Sequence, residues 1–252
     1  LKKFKNKKII VTGHTGFKGS WLSLWLYLSG AKVMGLSNEI LTEPSHFKSI
    51  KLSNKIISKK VDICDLKKMK KIFLDFKPDF VFHLAAQALV KKSYLSPVET
   101  YKSNTFGTLS ILESLKYLKN KCVVVLITSD KSYKNLEIKR GYNENDLLGG
   151  EDPYSSSKAS AELIIQTYVN TFFKSKKNIT LGVARAGNVI GGGDWSLDRL
   201  IPDCVMSWSK NKKVVLRNPN STRPWQHVLE ALSGYLILSF HLSKNKKLNG
   251  EA

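Results

Sequence analysis

Six short runs rich in β-branched residues, at 8–12, 31–36, 56–62, 80–84, 122–128 and 179–185, alternate with amphipathic stretches near 17–29, 66–76, 97–119 and 154–174. This alternation constrains the chain more than any other feature. Strand and helix in strict succession imply a parallel sheet with helices on both faces. Parallel strands are buried on both sides, and Val123-Val124-Val125-Leu126-Ile127 reads as such a strand. The expected fold class is therefore α/β, a Rossmann-like, doubly wound parallel sheet. Asp65, just before the helical run from Leu66, is the expected N-cap of that helix.

After Gly187 the character changes. Gly191-Gly192-Gly193, Pro202, Pro219 and Pro224 interrupt regular structure and predict a smaller, loop-rich C-terminal lobe. The chain starts without Met and stops at Gly250-Glu251-Ala252, soon after a helical stretch at 226–243, so this lobe is expected to be incomplete.

A chain of 252 residues buries roughly 70–75% of its unfolded surface and needs neither disulfides nor a structural metal. No apolar run approaches the ~18 residues of a membrane span, the densest being Trp21 to Leu28. The basic start, Leu1 to Lys8, leads into too short an apolar run for a secretory signal. Cys64, Cys122 and Cys204 are odd in number and widely spaced, which suits reduced thiols in the cytoplasm. The net charge of +21 invites a nucleic-acid reading. The lysines, however, run along the whole chain without an aromatic-interleaved stripe, so no nucleic-acid partner is expected. Five basic residues are arginines, and four of them, Arg185, Arg199, Arg217 and Arg223, fall late in the chain. A planar bidentate donor there suits a diphosphate, or a structural ion pair.

Thr12-Gly13-His14-Thr15-Gly16-Phe17-Lys18-Gly19 follows the first strand and opens a helix. Glycines at 13, 16 and 19 permit a tight turn and bring backbone N–H groups close to a pyrophosphate at the helix N-terminus. Gly13, His14, Thr15, Gly16, Phe17 and Gly19 are thus candidate dinucleotide-binding residues. A carboxylate after the second strand would select NAD. That position is Ser37, with Glu39 the nearest acid, so NAD is favoured with NADP left open. Asp62 and Ile63, ending the third strand, are placed to meet an adenine edge, although Asp62 also suits a strand-end turn.

Tyr154-Ser155-Ser156-Ser157-Lys158 puts a phenol and an ammonium four residues apart on one helix face. A cation there is expected to lower the tyrosine pKa and make Tyr154 a base for a hydroxyl during hydride transfer.

Together with His83-Leu84-Ala85-Ala86-Gln87, Thr128-Ser129-Asp130-Lys131, residues 149–158, residues 185–195 and residues 223–228, these motifs resemble the extended short-chain dehydrogenase/reductases, and within them the CDP-glucose 4,6-dehydratases. The resemblance implies NAD as cofactor, with Leu84, Ala85, Ala86, Tyr154 and Lys158 added to its binding residues. It implies CDP-glucose as substrate, oxidised at C4, dehydrated across C5–C6 and reduced at C6, on the way to deoxy sugars of surface polysaccharide. Ser129 would bond the C4 oxygen and Asp130 would be the acid of the elimination. Lys131 would be its base, or a charged stabiliser of the developing enolate. Asn188, Arg199 and Arg223 would grip the nucleotide diphosphate. The implied division is residues 1–186 for the NAD-binding domain with the catalytic helix, and 187–252 for an incomplete nucleotide-sugar lobe. A homodimer through paired helices, 97–119 and 154–174, is also implied, with Ile164, Ile165, Tyr168, Phe172 and Phe173 as its apolar stripe. No metal site is expected. His83 and His227 read as core histidines. The competing readings are an epimerase or other dehydratase of the same superfamily and a non-catalytic dinucleotide sensor. Asp130-Lys131 speaks against an epimerase, and the intact Tyr154 and Lys158 against a sensor.

Overall fold

The computed structural model describes residues 2–216 and 218–251. Arg217, one of the four late arginines, lies outside the described residues. β1 (Lys8–Thr12), β2 (Lys32–Ser37), β3 (Ile57–Lys60), β4 (Phe80–His83), β5 (Cys122–Ile127) and β6 (Ile179–Ala184) form one sheet in the order β3-β2-β1-β4-β5-β6. Every neighbouring pair is parallel. The strand order turns back between β1 and β4, and the crevice at the C-terminal ends of those strands is where such sheets bind ligands.

The helices are α1 (Phe17–Leu28), α2 (His46–Ser49), α3 (Leu66–Phe76), α4 (Val90–Leu95), α5 (Pro97–Tyr101), α6 (Gly107–Lys116), α7 (Pro153–Tyr168), α8 (Leu200–Trp208) and α9 (Val228–Lys244). Side chains alternate across each strand, so the sheet feeds two cores. Ile10, Val81, Val124 and Leu181 pack with Met69, Phe73, Leu112 and Ile165 of α3, α6 and α7. Ile9, Val11, Phe82 and Val125 pack with Leu22, Leu26, Leu232 and Tyr235 of α1 and α9. Asp65 caps α3, accepting from the Lys68 backbone N–H at 3.1 Å.

Two of the expected long helices carry an extra residue per turn. The stretch at 97–119 is α5, a π turn at Lys102–Phe106 and α6, and α7 runs into a π turn at Val169–Phe173. The expected apolar stripe needs correction. Ile165 and Phe173 lie in the core at 1% and 0% exposure, because α7 packs one flank on the sheet. The exposed apolar residues of these stretches are instead Val98, Phe106, Tyr117, Leu163 and, in part, Phe172, with Tyr94 and Leu95 exposed on α4 ahead of them.

β7 (Asn188–Ile190) and β8 (Trp225–His227) make a small parallel pair beside the sheet's C-terminal edge. α9 returns to the sheet and packs on β5 and β6. Gly250 and Glu251 then run along β6, with Gly250 N–H donating to the Leu181 carbonyl and Val183 N–H donating to that of Glu251. All three cysteines are free. Among the described residues no helix is long and apolar enough to cross a membrane.

Candidate active site

The loop between β1 and α1 is built for backbone approach. Gly13 has φ +75°, and a Cβ there would meet the Ala85 backbone nitrogen at 2.8 Å. A Cβ on Gly19 would fall 2.0 Å from the Gly13 carbonyl oxygen. Gly16 is the N-cap of α1, and no side chain caps that helix, leaving first-turn N–H groups for an anion. These features fit a dinucleotide pyrophosphate. His14 turns inward: it is 1% exposed, its Nε2 lies 2.7 Å from Ser58 Oγ, and burial lowers its pKa to about 4. Its backbone, not its imidazole, belongs to the cradle. Thr15 ties the loop to the end of β2, its N–H donating to Ser37 Oγ at 3.4 Å and its hydroxyl donating to the Glu39 carbonyl at 2.6 Å.

Behind the cradle, His83 at the end of β4 is 3% exposed and held from both ring nitrogens. Thr108 donates its hydroxyl to the Asn104 carbonyl at 2.7 Å, so it accepts from His83 Nε2 at 3.2 Å. Nδ1 is then the acceptor for Thr12 Oγ1 at 2.7 Å, and the Ala85 N–H donates to Thr12 Oγ1 at 3.2 Å. A neutral imidazole thus fixes the Leu84-Ala85-Ala86 loop against Gly13. Burial, helped by the Lys158 charge, brings its pKa down to about 3.

Tyr154 and Lys158 lie on α7, whose first turn is capped by Asp152 accepting from the Tyr154 and Ser155 N–H groups at 3.0 Å. Both side chains are buried, at 9% and 6% exposure. Lys158 Nζ donates to the Ile127 carbonyl at 3.4 Å. Burial, then repulsion from Lys18, lowers its pKa to about 7 against the pull of Glu162. The expected lowering of the Tyr154 pKa is not seen: burial raises it, outweighing the Ser129 hydrogen bond and the charges of Lys18 and Arg199, while Asp130 raises it further. The physical reason is desolvation of the phenolate in a site closed from water.

Ser129, Asp130 and Lys131 form the turn after β5. Ser129 Oγ donates to Asp130 Oδ1 at 2.9 Å and accepts from the Lys131 N–H at 3.2 Å. The structure therefore brings Ser129, Asp130 and Tyr154 together. A cleft of about 460 Å³ opens beside Asp130, lined also by Tyr133, Glu144, Gln226, Glu230 and Tyr235. A wider, shallow cleft of about 580 Å³ lies at the opposite end of the sheet among Lys116, Lys119, Lys176 and Lys177, away from every residue expected in the site.

The outer residues divide. Arg199, ahead of α8, donates to Asp194 at 2.9 Å, and its charge reaches Tyr154. Asn188 opens β7, its N–H donating to the Pro224 carbonyl at 3.0 Å. Arg223 is exposed and donates to the Thr222 carbonyl, so it is not drawn to the phenol as Arg199 is. Asp62 accepts from the Cys64 N–H at 2.9 Å as a turn residue does. The Ile63 side chain packs in the core under α6, which leaves its backbone for any contact with a base. Arg185 does not reach for a diphosphate: it forms a buried ion pair with Glu162.

Three functional neighbours escaped the sequence reading. Lys18 sits within the glycine loop, yet its charge acts on both Tyr154 and Lys158, and its Nζ lies 3.5 Å from the Tyr235 hydroxyl. Its position next to the glycine loop was the available signal. Asn104, in the first π turn, donates to Ser157 Oγ at 2.9 Å and accepts from the Gln87 N–H at 2.8 Å, linking α7 to the loop after β4. Glu162 stands one turn beyond Lys158.

A six-stranded Rossmann sheet with a backbone cradle and a buried Tyr-x-x-x-Lys pair defines the short-chain dehydrogenase/reductase class. Within it, the family model described as GDP-mannose 4,6 dehydratase matches residues 10–246, and the chain belongs to this family. It is 50% identical over 243 residues to a CDP-glucose 4,6-dehydratase of Salmonella typhimurium, covering 95% of this chain and 68% of that protein. Its fold is similar to that of the epimerase Mth375 of Methanothermobacter thermautotrophicus, with a TM-score of 0.85, 26% identity and coverage of 100% of this chain and 72% of that one. It is also similar to DesIV, a dTDP-glucose 4,6-dehydratase of Streptomyces venezuelae, with a TM-score of 0.79, 22% identity and coverage of 97% and 74%. The chain thus spans about two thirds to three quarters of the length of these relatives.

Proposed function

We propose that the chain is an NAD-dependent dehydratase that converts CDP-glucose to CDP-4-keto-6-deoxyglucose. One observation carries the reading: the Ser129 hydroxyl and the Asp130 charge both act on the buried Tyr154 phenol, which supports one site for oxidation and elimination. The 50% identical relative named CDP-glucose 4,6-dehydratase supports the choice of sugar nucleotide.

NAD, which is bound in the DesIV structure, would accept hydride from C4 and return it to C6. The residues fitted to hold it are Gly13, Gly16 and Gly19 with the first turn of α1 on the pyrophosphate, and the Leu84–Ala86 loop beneath. Backbone of His14, Thr15, Phe17, Asp62 and Ile63 completes the cradle, and Tyr154 and Lys158 stand at its reactive end.

Ser129 aligns the C4 hydroxyl with Tyr154, which takes its proton. The buried phenol resists ionisation, so its proton moves in step with charge on Lys158, whose pKa of about 7 suits it for that exchange. The C4 ketone acidifies C5–H. Lys131 removes that proton, or stays charged and stabilises the enolate while water takes it, and Asp130 protonates the C6 hydroxyl, which leaves as water. Lys131, or that water, then gives its proton back to C5, and Asp130 is reprotonated from solvent. The proton that Tyr154 took from the C4 hydroxyl leaves through Lys158 to solvent, so all return to their starting states. Asn188, Arg199 and Arg223 hold the CDP diphosphate, Arg199 being the one whose charge also bears on Tyr154. Residues 1–186 serve as the NAD-binding domain and 187–252 as the nucleotide-sugar lobe, with α9 packed back on the sheet.

The apolar residues left exposed on α4 to α7 support a homodimer built from paired helices. Three free cysteines and a nucleotide-sugar substrate suit a cytoplasmic enzyme supplying deoxy sugars for surface polysaccharide such as the O-antigen.

The test is incubation with CDP-glucose and NAD, read by NMR for a 4-keto-6-deoxy sugar, beside dTDP-glucose and Tyr154→Phe. Product from CDP-glucose alone, lost in the variant, is expected. Preference for dTDP-glucose would overturn the substrate, and C4 inversion without water loss would make the protein an epimerase.

A further inference from the structure

The acid/base turn is bracketed by Thr128 and Tyr133, and one buried ion pair holds both. Thr128 Oγ1 donates to Glu162 Oε1 at 2.6 Å. Arg185 donates from Nε to both Glu162 oxygens, at 2.8 and 2.9 Å, and from Nη1 to the Tyr133 hydroxyl at 2.9 Å. Its guanidinium also lies 4.7 Å from the Tyr133 ring centroid. The side chains of Arg185 and Glu162 are 7% and 2% exposed. The backbone beside Arg185 adds two more ties, with the Thr128 N–H donating to the Ala184 carbonyl at 3.0 Å and the Asp130 N–H to the Ala186 carbonyl at 3.3 Å.

We propose that Glu162 and Arg185 are the positioning residues of the acid/base turn: the pair fixes Asp130 and Lys131 relative to the helix that carries Tyr154 and Lys158. Glu162 follows Lys158 by one helical turn, so its carboxylate joins the catalytic helix to the start of the turn. Arg185 joins the end of β6 to the close of the turn. Glu162 stands behind the cleft and Arg185 at its wall, and both act on the turn through Thr128 and Tyr133. A purely stabilising function explains the pair poorly. Buried ion pairs are often matched or bettered by apolar residues of similar size, because desolvation cancels their attraction. Geometry is what apolar residues would not supply. An elimination needs its acid aligned with the leaving hydroxyl, and displacement by about 1 Å can cost about 100-fold in rate.

This inference rests on the dehydratase reading, and its test separates the two. Tyr133→Phe and Thr128→Val each remove one tether and leave the ion pair whole, which keeps the test free of a folding failure in Glu162→Gln. Hydrogen exchange over residues 128–133, read by mass spectrometry, needs no turnover. It is expected to quicken about tenfold in either variant, with residues 153–168 and the melting temperature unchanged. With CDP-glucose, kcat is expected to fall about 10- to 100-fold while KM stays within about twofold. In Glu162→Asp, part of the kcat lost in Glu162→Gln should return. Exchange at the wild-type rate, or loss of kcat only in proportion to loss of thermal stability, would overturn the proposal. An inactive wild type would count against the reaction instead, and the exchange result would then decide the positioning role alone.

Discussion

The imidazole of His14 fills the space over Gly35: a Cβ on Gly35 would lie 2.2 Å from its Cγ and 2.3 Å from its Cδ2. The nucleotide loop is thereby seated on β2, and through Ser58 on β3. Gly35→Ala must push the ring out of a buried site, and overpacking of this kind costs about 1–3 kcal/mol. A lower urea midpoint and weaker NAD binding by calorimetry are expected. A wild-type midpoint would mean that the ring swings away freely.

Gly19→Ala tests the cradle itself, because the clash is with the Gly13 carbonyl and not with a flexible side chain. NAD binding is expected to weaken by about 100-fold or more, a loss of about 2.7 kcal/mol. Gly192→Ala is the control, since a Cβ there meets nothing within 4 Å. It should leave NAD affinity unchanged.

Acid should destabilise the fold through its buried histidines, His14 and His83 above all, with burial shifting His46 the same way. The unfolded chain protonates them below about pH 6.5, while the folded chain keeps His14 neutral to about 4 and His83 to about 3. The unfolded state therefore binds more protons in that window, and stability falls as pH drops, by about 1.4 kcal/mol per pH unit for each ring. Urea midpoints measured from pH 7 to 4 should follow this slope, and His83→Gln should remove one step of it.

Activity should depend on the charge of Lys158. Its pKa of about 7 is held down by burial first and by Lys18 second. If the ammonium form supports the phenolate of Tyr154, kcat falls as pH rises through that value. Lys18→Met removes a repelling charge, so the falling limb should move to higher pH. A limb that stays in place would separate Lys18 from the proton chemistry.

Leu95, Val98 and Phe106 are 79%, 75% and 60% exposed. A dimer through these helices predicts that Val98→Glu or Phe106→Glu yields a monomer in sedimentation velocity, with NAD binding retained. A wild-type protein that sediments as a monomer would remove the paired-helix dimer.

Apart from β3, whose four residues are exposed at the sheet edge, the strands were legible because they are mostly buried on both faces and so appear as β-branched runs, as Cys122–Ile127 does. Other elements were hidden for identifiable reasons. Pro202 reads as a helix breaker, yet it sits in the first turn of α8, where a missing N–H forfeits no hydrogen bond. No residue type encodes an extra residue per turn, so the π turn that aims Asn104 at α7 left no sequence signal. Tyr154 and Lys158 were visible from spacing, but their proton affinities depend on desolvation that spacing does not report. Arg185 stood out by composition alone. Its partner Glu162 lies 23 residues away, on a helix where a lone acid reads as an exposed charge.

On the proposed reading, the groups for oxidation and those for elimination come from different supports. Tyr154 and Lys158 project from α7, whereas Asp130 and Lys131 ride on a turn hung from the Ala184 and Ala186 carbonyls. Two residues on that turn can be exchanged without disturbing the helix or the cradle. A lineage can thus gain or lose the power to expel water while keeping its redox step intact. An epimerase and a dehydratase do share this scaffold, as such separability would allow.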